Sequence, residues 1–412
     1  MAIRCGFVWC CAKPDEVHLV RRLARTARIP EEDVIVFGED TDGQITPWRF
    51  NALNYESKRH GGTLSLVAYL SEMARALSRG QGGGEESPFW RDQFEMLTGY
   101  CIDAALLAGL PLSIQLLRDI QKSAPTNAEQ LSNEEWKDNS VLIACLRCAD
   151  QRASAGEVST DDIKRLQDYW MRDYFNLDAK PRSSIDVMFA KLADQYSREP
   201  IRSLLCTDTN FTPEDAMAGK IIVLSLPTRK YFEPGRLAQF HFKYSFQRSM
   251  LQRDTTRGEL RPVVLWCDEA HNFISDFDRE YFAESRSFRS IGCYLEQGIA
   301  GYEAALGTRS EKAVDAFLTN LQTKLFFQNS SPESNRYAAE VIAKDEIDLV
   351  TSLSPQTQID YQVQPRQFSE LKTGGHEHRR LVEAFVYKRG TKFNTTGKNH
   401  IKAIFQQLEL TQ

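Results

Sequence analysis

Arg261-Pro-Val-Val-Leu-Trp-Cys-Asp-Glu-Ala-His271 is the stretch on which the reading of this chain turns. An apolar run, Val263 to Cys267, ends abruptly in two adjacent carboxylates, Asp268 and Glu269. An apolar run without polar alternation reads as a strand buried on both faces, as in a parallel sheet. Ligands of open α/β sheets bind beyond the carboxyl ends of such strands. Acids delivered there suit a magnesium–nucleotide complex. Asp268 would hold Mg2+ through water, and Glu269 would polarise the attacking water.

That chemistry has a partner motif, G-x-x-x-x-G-K-S/T, whose backbone N–H groups cradle the phosphates. None occurs in these 412 residues. The nearest string is Gly390-Thr-Lys-Phe-Asn-Thr-Thr-Gly397-Lys398-Asn399, with extra residues between its glycines and Asn where Ser or Thr is needed. The chain therefore reads as an ATPase motor carrying half of its nucleotide site.

The length predicts two to three domains with ample core. Apolar content of 42% and charged content of 26% predict a globular chain rather than a disordered one. A net charge of −5 argues against a generally basic nucleic-acid coat, though not against a local DNA-contacting loop. No apolar run is long enough to span a membrane, and no signal peptide is visible. The nine cysteines are scattered and read as reduced, small hydrophobes. Cys145-Leu-Arg-Cys148 lacks the further ligands that zinc needs.

The chain opens on a strand, Ile3 to Cys11, followed by a helix from Pro14 to about Ala27 and a strand from Asp33 to Phe37. Residues 43–55 are irregular, and helical periodicity returns from Thr63 to Leu77. Gly80 to Gly84 reads as a flexible joint. Residues 86–200 then read as helices alone: Pro88 to Leu107, Ser113 to Ser123, Glu134 to Arg152, Ser159 to Tyr174 and Ile185 to Ser197. Strand character resumes at Lys220 to Leu226, followed by a helix from Pro234 to Arg253 and the acid-ended strand. After it come a helix from Phe277 to Phe288 and a strand from Ile291 to Glu296. Helices at 309–320 and 331–343 and strands at 323–328, 382–388 and 400–406 complete the chain.

Three features follow the apolar strand in order. Asp268-Glu269 ends it, Ser285-Arg286-Ser287 lies near the end of the next helix, and Gln297 ends the next strand. In ring-shaped motors such a glutamine senses the γ-phosphate. An arginine there can reach the neighbouring subunit's nucleotide and neutralise charge on the transferred phosphoryl group. His271 is a residue beside this site. His376-Glu-His378, flanked by Gly374-Gly375 and Arg379-Arg380, reads as an exposed loop rather than a metal site.

These residues resemble the type IV secretion coupling proteins, the TraG/TraD-like ATPases of conjugative DNA transfer. Gly6-Phe-Val-Trp-Cys-Cys-Ala-Lys-Pro-Asp-Glu16 is similar to the family strand that follows the phosphate-loop helix. Phe89 to Leu97 resembles the opening of the inserted helical domain, and Thr209 to Val223 the return to the sheet. Asp268-Glu269, Ser285-Arg286-Ser287 and Gln297 fall at the family's spacing, and Asn394 to His400 has its flavour.

The resemblance implies an α/β fold: a RecA-like P-loop ATPase domain with a mostly parallel sheet, helices on both faces and an inserted all-α domain. The motor domain would comprise 1–85 and 200–412, and the helical domain 86–199. Catalytic roles would fall to Glu269, Arg286 and Gln297, nucleotide binding to Asp268 and Lys13, and Mg2+ to Asp268 through water. ATP and Mg2+ are the implied cofactors. The implied partners are single-stranded DNA, relaxosome or effector proteins, a type IV secretion channel and further copies in a homo-hexamer. The absent phosphate loop and membrane anchor read as an internal or truncated start, with a split gene or a non-hydrolysing paralogue as alternatives. As written the chain would be cytoplasmic; with an anchor it would be at the inner membrane. The rival readings are an ATP-independent module that binds substrate or relaxosome, and a DNA-pumping motor of chromosome segregation.

Overall fold

The computed structural model describes residues 4–59, 61–78, 88–256, 258–306, 310–351 and 354–407. Gly80 to Gly84, read as a flexible joint, lie outside the described residues. Two compact units divide the chain. One comprises Met1–Asp268 with Glu284–Cys293, the other Glu269–Ala283 with Tyr294–Gln412.

The first unit is built on a sheet of β1 (Gly6–Cys10), β2 (Val34–Gly38), β3 (Ile221–Ser225), β4 (Val263–Cys267) and β5 (Ser290–Tyr294), in the order β2-β3-β1-β4-β5. β1 pairs in parallel with β3 and β4, and β2 in parallel with β3. β2 and β3 are buried along their whole length, which accounts for their unalternating apolar sequences. The helix Glu16–Thr26 packs its Val17, Val20 and Ala24 against Trp9, Val34, Val36, Ile221 and Val223. Gly6 permits a close crossing: a Cβ there would lie 1.7 Å from the Ala216 carbonyl oxygen.

The polar alternation in Phe240-His-Phe-Lys-Tyr-Ser-Phe246 resembles a strand, yet it lies in the helix Thr228–Leu251. From Leu237 to Met250 nearly every residue of this helix is buried. A helix buried all round must satisfy its polar groups internally. The Gln239 side-chain oxygen accepts from Cys11 N at 3.0 Å. Its amide donates to Cys11 O at 2.9 Å and Leu226 O at 2.8 Å. Gln239 thus ties the helix to the chain leaving β1 and β3. Replacing it with leucine removes three bonds and strips the Cys11 and Leu226 carbonyls of their side-chain donor, while Cys11 N keeps its bond to Leu224 O. Gln239→Leu is expected to lower stability by about 2 kcal/mol, read as a lower urea midpoint at unchanged slope. An unchanged midpoint would show that the three bonds contribute nothing net.

Residues 88–205 form helices without a strand among the described residues. Helix Pro88–Leu107 is their hub, packing on Gly62–Ser78, Ile114–Lys122, Val141–Ser154, Thr160–Asp168 and Ala179–Asp194. The expected helix from Glu134 to Arg152 is broken at Ser140, whose side chain accepts from Ile143 N and caps a new helix. The one expected from Ser159 to Tyr174 finishes in a π turn, Tyr169–Asp173, that buries Tyr169 and Trp170. Cys145 is buried and Cys148 exposed, so the pair does not face a common ligand.

In the second unit β6 (Thr323–Phe327), β9 (Leu381–Lys388) and β10 (His400–Gln406) form an antiparallel sheet in the order β10-β9-β6. Helices Pro332–Ile342 and Pro365–Ser369 cover it through Ala338, Ala339, Ile342 and Phe368 against Phe326 and Phe385. A hairpin of β7 (Lys344–Thr351) and β8 (Ser354–Tyr361), absent from the sequence expectation, precedes the second of these helices. Lys324 donates to the Leu318 and Leu321 carbonyls at 2.7 Å each, closing the end of helix Ser310–Asn320. Burial lowers its pKa to about 8.

Candidate functional site

The parallel register brings Trp9 beside Trp266 and Cys10 beside Cys267. The two indoles stack at 4.7 Å. Just beyond the paired ends lie Lys13 and Asp268, with Nζ 3.5 Å from Oδ2. The turn from β1 into its helix is organised by Glu16, a residue the sequence presents only as an acid in a first helical turn. Its carboxylate accepts from Trp9 Nε1 at 2.8 Å, Ala12 N at 2.8 Å and Lys13 N at 2.7 Å. Burial raises the Glu16 pKa and the Asp268 charge raises it further, while these donors oppose the rise. Burial, followed by the charges of Glu16, Asp15 and Asp268, also pushes the Cys11 thiol well up. Cys11 is thus an inert packing group.

Asp268 belongs to the first unit and the next residue, Glu269, to the second. Glu269 has left-handed backbone angles, φ 47° and ψ 56°. This conformation is uncommon outside glycine and costs about 1 kcal/mol or more. In the second unit its carboxylate meets the amide of Gln297, whose Nε2 lies 3.1 Å from both oxygens. Asn272 donates to the Glu269 carbonyl through both its backbone and its side chain, at 3.0 and 3.1 Å.

Glu296, at 5% side-chain exposure, supports the arrangement from below. It accepts from His271 N at 2.9 Å and from Gln297 N at 2.9 Å. It also pairs with His271 Nδ1 at 2.8 Å. Among the described residues, Glu269, His271 and Glu296 form a potential cation cluster, one ligand atom from each within 4.8 Å of the others. The short His271–Glu296 contact shows these two already satisfying each other, so the group reads as a hydrogen-bonded support for Gln297. Nothing in the sequence pattern singles out Glu296 except its position before Gln297.

The expected strand from Ile291 to Glu296 ends at Tyr294, so Gln297 stands in the connection after it rather than at its end. Ser285-Arg286-Ser287 forms a separate 3-10 turn, Ser285–Phe288, rather than the end of a helix. Arg286 is exposed, with no hydrogen bond or ion pair to its guanidinium among the described residues. Arg289 N donates to Arg286 O, and Val263 N donates to Arg289 O, both at 3.1 Å. Arg286 therefore lies by the start of β4, whereas Asp268 follows its end. At about 3.3 Å per strand residue, the two stand a strand's length apart. Asp268 and Lys13 are brought together, as are Glu269 and Gln297; Arg286 joins neither pair.

The donor set suits hydrated Mg2+. Asp268 offers a partly exposed carboxylate at the end of a buried strand, beside a lysine, and hard cations take oxygen ligands. The phosphate-cradling half is not supplied by Gly390 to Asn399. That string lies in the connection between antiparallel β9 and β10 and opens no helix, whereas a phosphate loop needs a helix N-terminus behind it.

Residues 262–384 match the family model for the TraM recognition site of TraD and TraG. No curated protein sequence matches the chain. Among solved structures, the trigonal form of the bacterial conjugative coupling protein TrwBdeltaN70 with sulphate is similar over 99% of this chain and 85% of its own, at 14% identity and TM-score 0.58. Plasmid coupling protein TrwB with the non-hydrolysable ATP analogue ADPNP is similar over 99% and 86%, at 14% identity and TM-score 0.57. The same protein with ADP and Mg2+ is similar over 99% and 85%, at 12% identity and TM-score 0.53. The fold is thus that of a RecA-like P-loop ATPase, as its parallel sheet and strand-end acids imply.

Proposed function

We propose that this chain is a member of the TraG/TraD-like family of type IV secretion coupling proteins and works as a coupling motor. It would link ATP hydrolysis to transfer of single-stranded DNA, or of protein substrates, into a secretion channel. The observation that carries this reading is the pairing of Glu269 with the Gln297 amide directly after the magnesium-type acid Asp268.

Bound Mg2+ would neutralise phosphate charge, with Asp268 holding its water shell. Lys13 stands where it can share the charge of Asp268. Glu269 is the group that orients and deprotonates water, and Gln297 the group that holds Glu269 in place. A γ-phosphate competing for the Gln297 amide would release Glu269, so nucleotide state and backbone position after β5 would change together. Arg286, exposed at the opposite end of β4, is suited to a nucleotide on a neighbouring subunit of a ring. Support for nucleotide and Mg2+ comes from the TrwB structures that contain ADPNP or ADP with Mg2+. A relaxosome partner is supported by the TraM-recognition match. The cytoplasmic face of the inner membrane is the proposed location.

Gln297→Ala is expected to lower hydrolysis by about tenfold or more, because an unanchored carboxylate positions water poorly. Nucleotide affinity should be unchanged. Single-turnover kinetics beside equilibrium nucleotide binding separate the two, and a matched loss of affinity would assign Gln297 to binding instead.

The decisive experiment measures Mg-ATP binding and hydrolysis with and without single-stranded DNA, and with a phosphate-loop segment joined to the chain. DNA-stimulated turnover under any of these conditions supports the motor. Absence of binding and turnover in all of them supports the second reading, an ATP-independent module that binds substrate or relaxosome.

A further inference from the structure

The turn that leaves β3 carries an exposed aromatic on a backbone that aromatics avoid. Phe232 has φ 48° and ψ −137°, inside what is otherwise the helix Thr228–Leu251. Those angles suit the glycine position of a tight turn. Phe232 is nonetheless 71% exposed, so burial does not compensate the strain. Strain persists only where the surroundings over-determine it.

Those surroundings are well defined. Glu39, at the end of β2, accepts from Lys230 Nζ at 2.7 Å and from the Tyr231 hydroxyl at 2.6 Å. Tyr231 N donates to Pro227 O at 2.9 Å. Gly235 lets the turn close: a Cβ there would lie 2.5 Å from the Tyr231 Cβ. On the far side Arg236 pairs with Glu233 and with the Ala76 carbonyl. The residues flanking Phe232 are thus held, while its ring points to solvent. Three residues before it in the same turn, Arg229 is exposed, with no partner for its guanidinium among the described residues. Lys230 remains half-exposed despite its bond to Glu39.

β3 and β4 both run parallel to β1, so the turn and Asp268 share one edge of the sheet. A rigidly presented ring, in one turn with a guanidinium that has no partner among the described residues, suits a chain with π faces and regularly spaced negative charges. We propose that Phe232 and Arg229 form a contact for single-stranded DNA, the ring stacking on a base and the guanidinium meeting the adjacent phosphate. The contact would not read sequence, because every base offers a π face. This proposal rests on the DNA-transfer reading above and names residues that would touch the strand.

The test is fluorescence anisotropy of a labelled oligothymidine titrated with the full chain at low salt. Phe232→Gly should weaken binding by about 5- to 100-fold. The same substitution should leave the melting temperature unchanged or higher, since glycine relieves the strained φ. Phe232→Trp should retain binding, with emission quenched by the oligonucleotide beyond any quenching of the wild type. Arg229→Gln should reduce the slope of log affinity against log salt by about 0.7. Equal binding by wild type and Phe232→Gly would overturn the contact while leaving the DNA-transfer reading standing. Quenching of the new indole by an unfolded polypeptide but not by oligothymidine would overturn it in favour of a protein substrate. No affinity of the wild type for oligothymidine would overturn both this contact and the DNA-transfer reading.

Discussion

Glu269→Gln is expected to lower ATP turnover by about 10²- to 10⁴-fold, the usual contribution of a positioned general base. The measurement belongs in a chain to which a phosphate-loop segment has been joined. An amide matches the carboxylate in size and can still accept from Gln297 Nε2, so the turn after β4 should keep its shape. It cannot take a proton from water at neutral pH. Nucleotide affinity should therefore persist while turnover is lost, and the variant should accumulate in the nucleotide-bound state. Turnover within about threefold of the wild type would remove Glu269 from the chemistry. A parallel loss of affinity would make Glu269 a binding group. Asp268→Asn supplies the contrast: its loss should weaken the Mg2+ dependence of binding itself.

Stability is expected to fall steeply with acid because of His241. This ring is buried in the helix Thr228–Leu251, between two tyrosines from other elements. The Tyr69 hydroxyl lies 2.6 Å from Nδ1 and the Tyr196 hydroxyl 2.5 Å from Nε2. Tyr69 also donates to the His241 carbonyl at 3.1 Å. That assigns the ring proton to Nδ1, with Nε2 accepting from Tyr196. Burial lowers the His241 pKa to about 3. The unfolded value is about 6.5. Between these values the unfolded chain binds a proton that the folded chain does not. The contribution is complete above about pH 6.5 and is lost as pH falls toward the folded value. The slope is up to about 1.4 kcal/mol per pH unit. Glu16 and Glu56, whose pKa values burial raises, act with the opposite sign at acid pH. The difference between wild type and His241→Gln isolates the histidine, because glutamine can bridge both hydroxyls without titrating. Urea unfolding at about pH 5 and about pH 7 should show a shallower pH dependence in the variant. Identical slopes would mean that the ring is not held neutral. His241→Phe removes the ring partner of both hydroxyls, orphaning that of Tyr196 while Tyr69 keeps the backbone carbonyl, and should cost about 1–3 kcal/mol at either pH.

Much of this architecture is legible from periodicity. The strands at Val34–Gly38, Ile221–Ser225 and Val263–Cys267 announce themselves as unalternating apolar runs, because both faces are covered. Helix Pro88–Leu107 has the expected bounds. The breaks at Ser140 and Tyr169 are less visible, since a cap and a π turn change hydrogen bonding more than hydrophobic spacing. The β7–β8 hairpin escaped for a related reason: Lys344 to Tyr361 lacks a sustained apolar alternation, and its pairing comes from antiparallel backbone bonds. Of the site, Asp268 and Glu269 are legible because a carboxylate pair closes an apolar strand. Glu16, Gln239 and Glu296 are not, since nothing local marks a polar residue whose partners are distant backbone groups.

The sequence by itself determined that a buried parallel strand would deliver two acids to its end, that helices would fill the middle of the chain, and that the closest glycine–lysine string departs from a phosphate loop. These follow from residue type and spacing along a few turns or one strand. Only the tertiary structure decided that Gln297 would hold Glu269 while Arg286 lay at the other end of β4. It also decided that Phe232 would be turned outward on a strained backbone. Those outcomes depend on left-handed turns, strand register and side chains meeting across long sequence separations. Periodicity specifies which face is buried, but the geometry of the connections specifies which side chains meet.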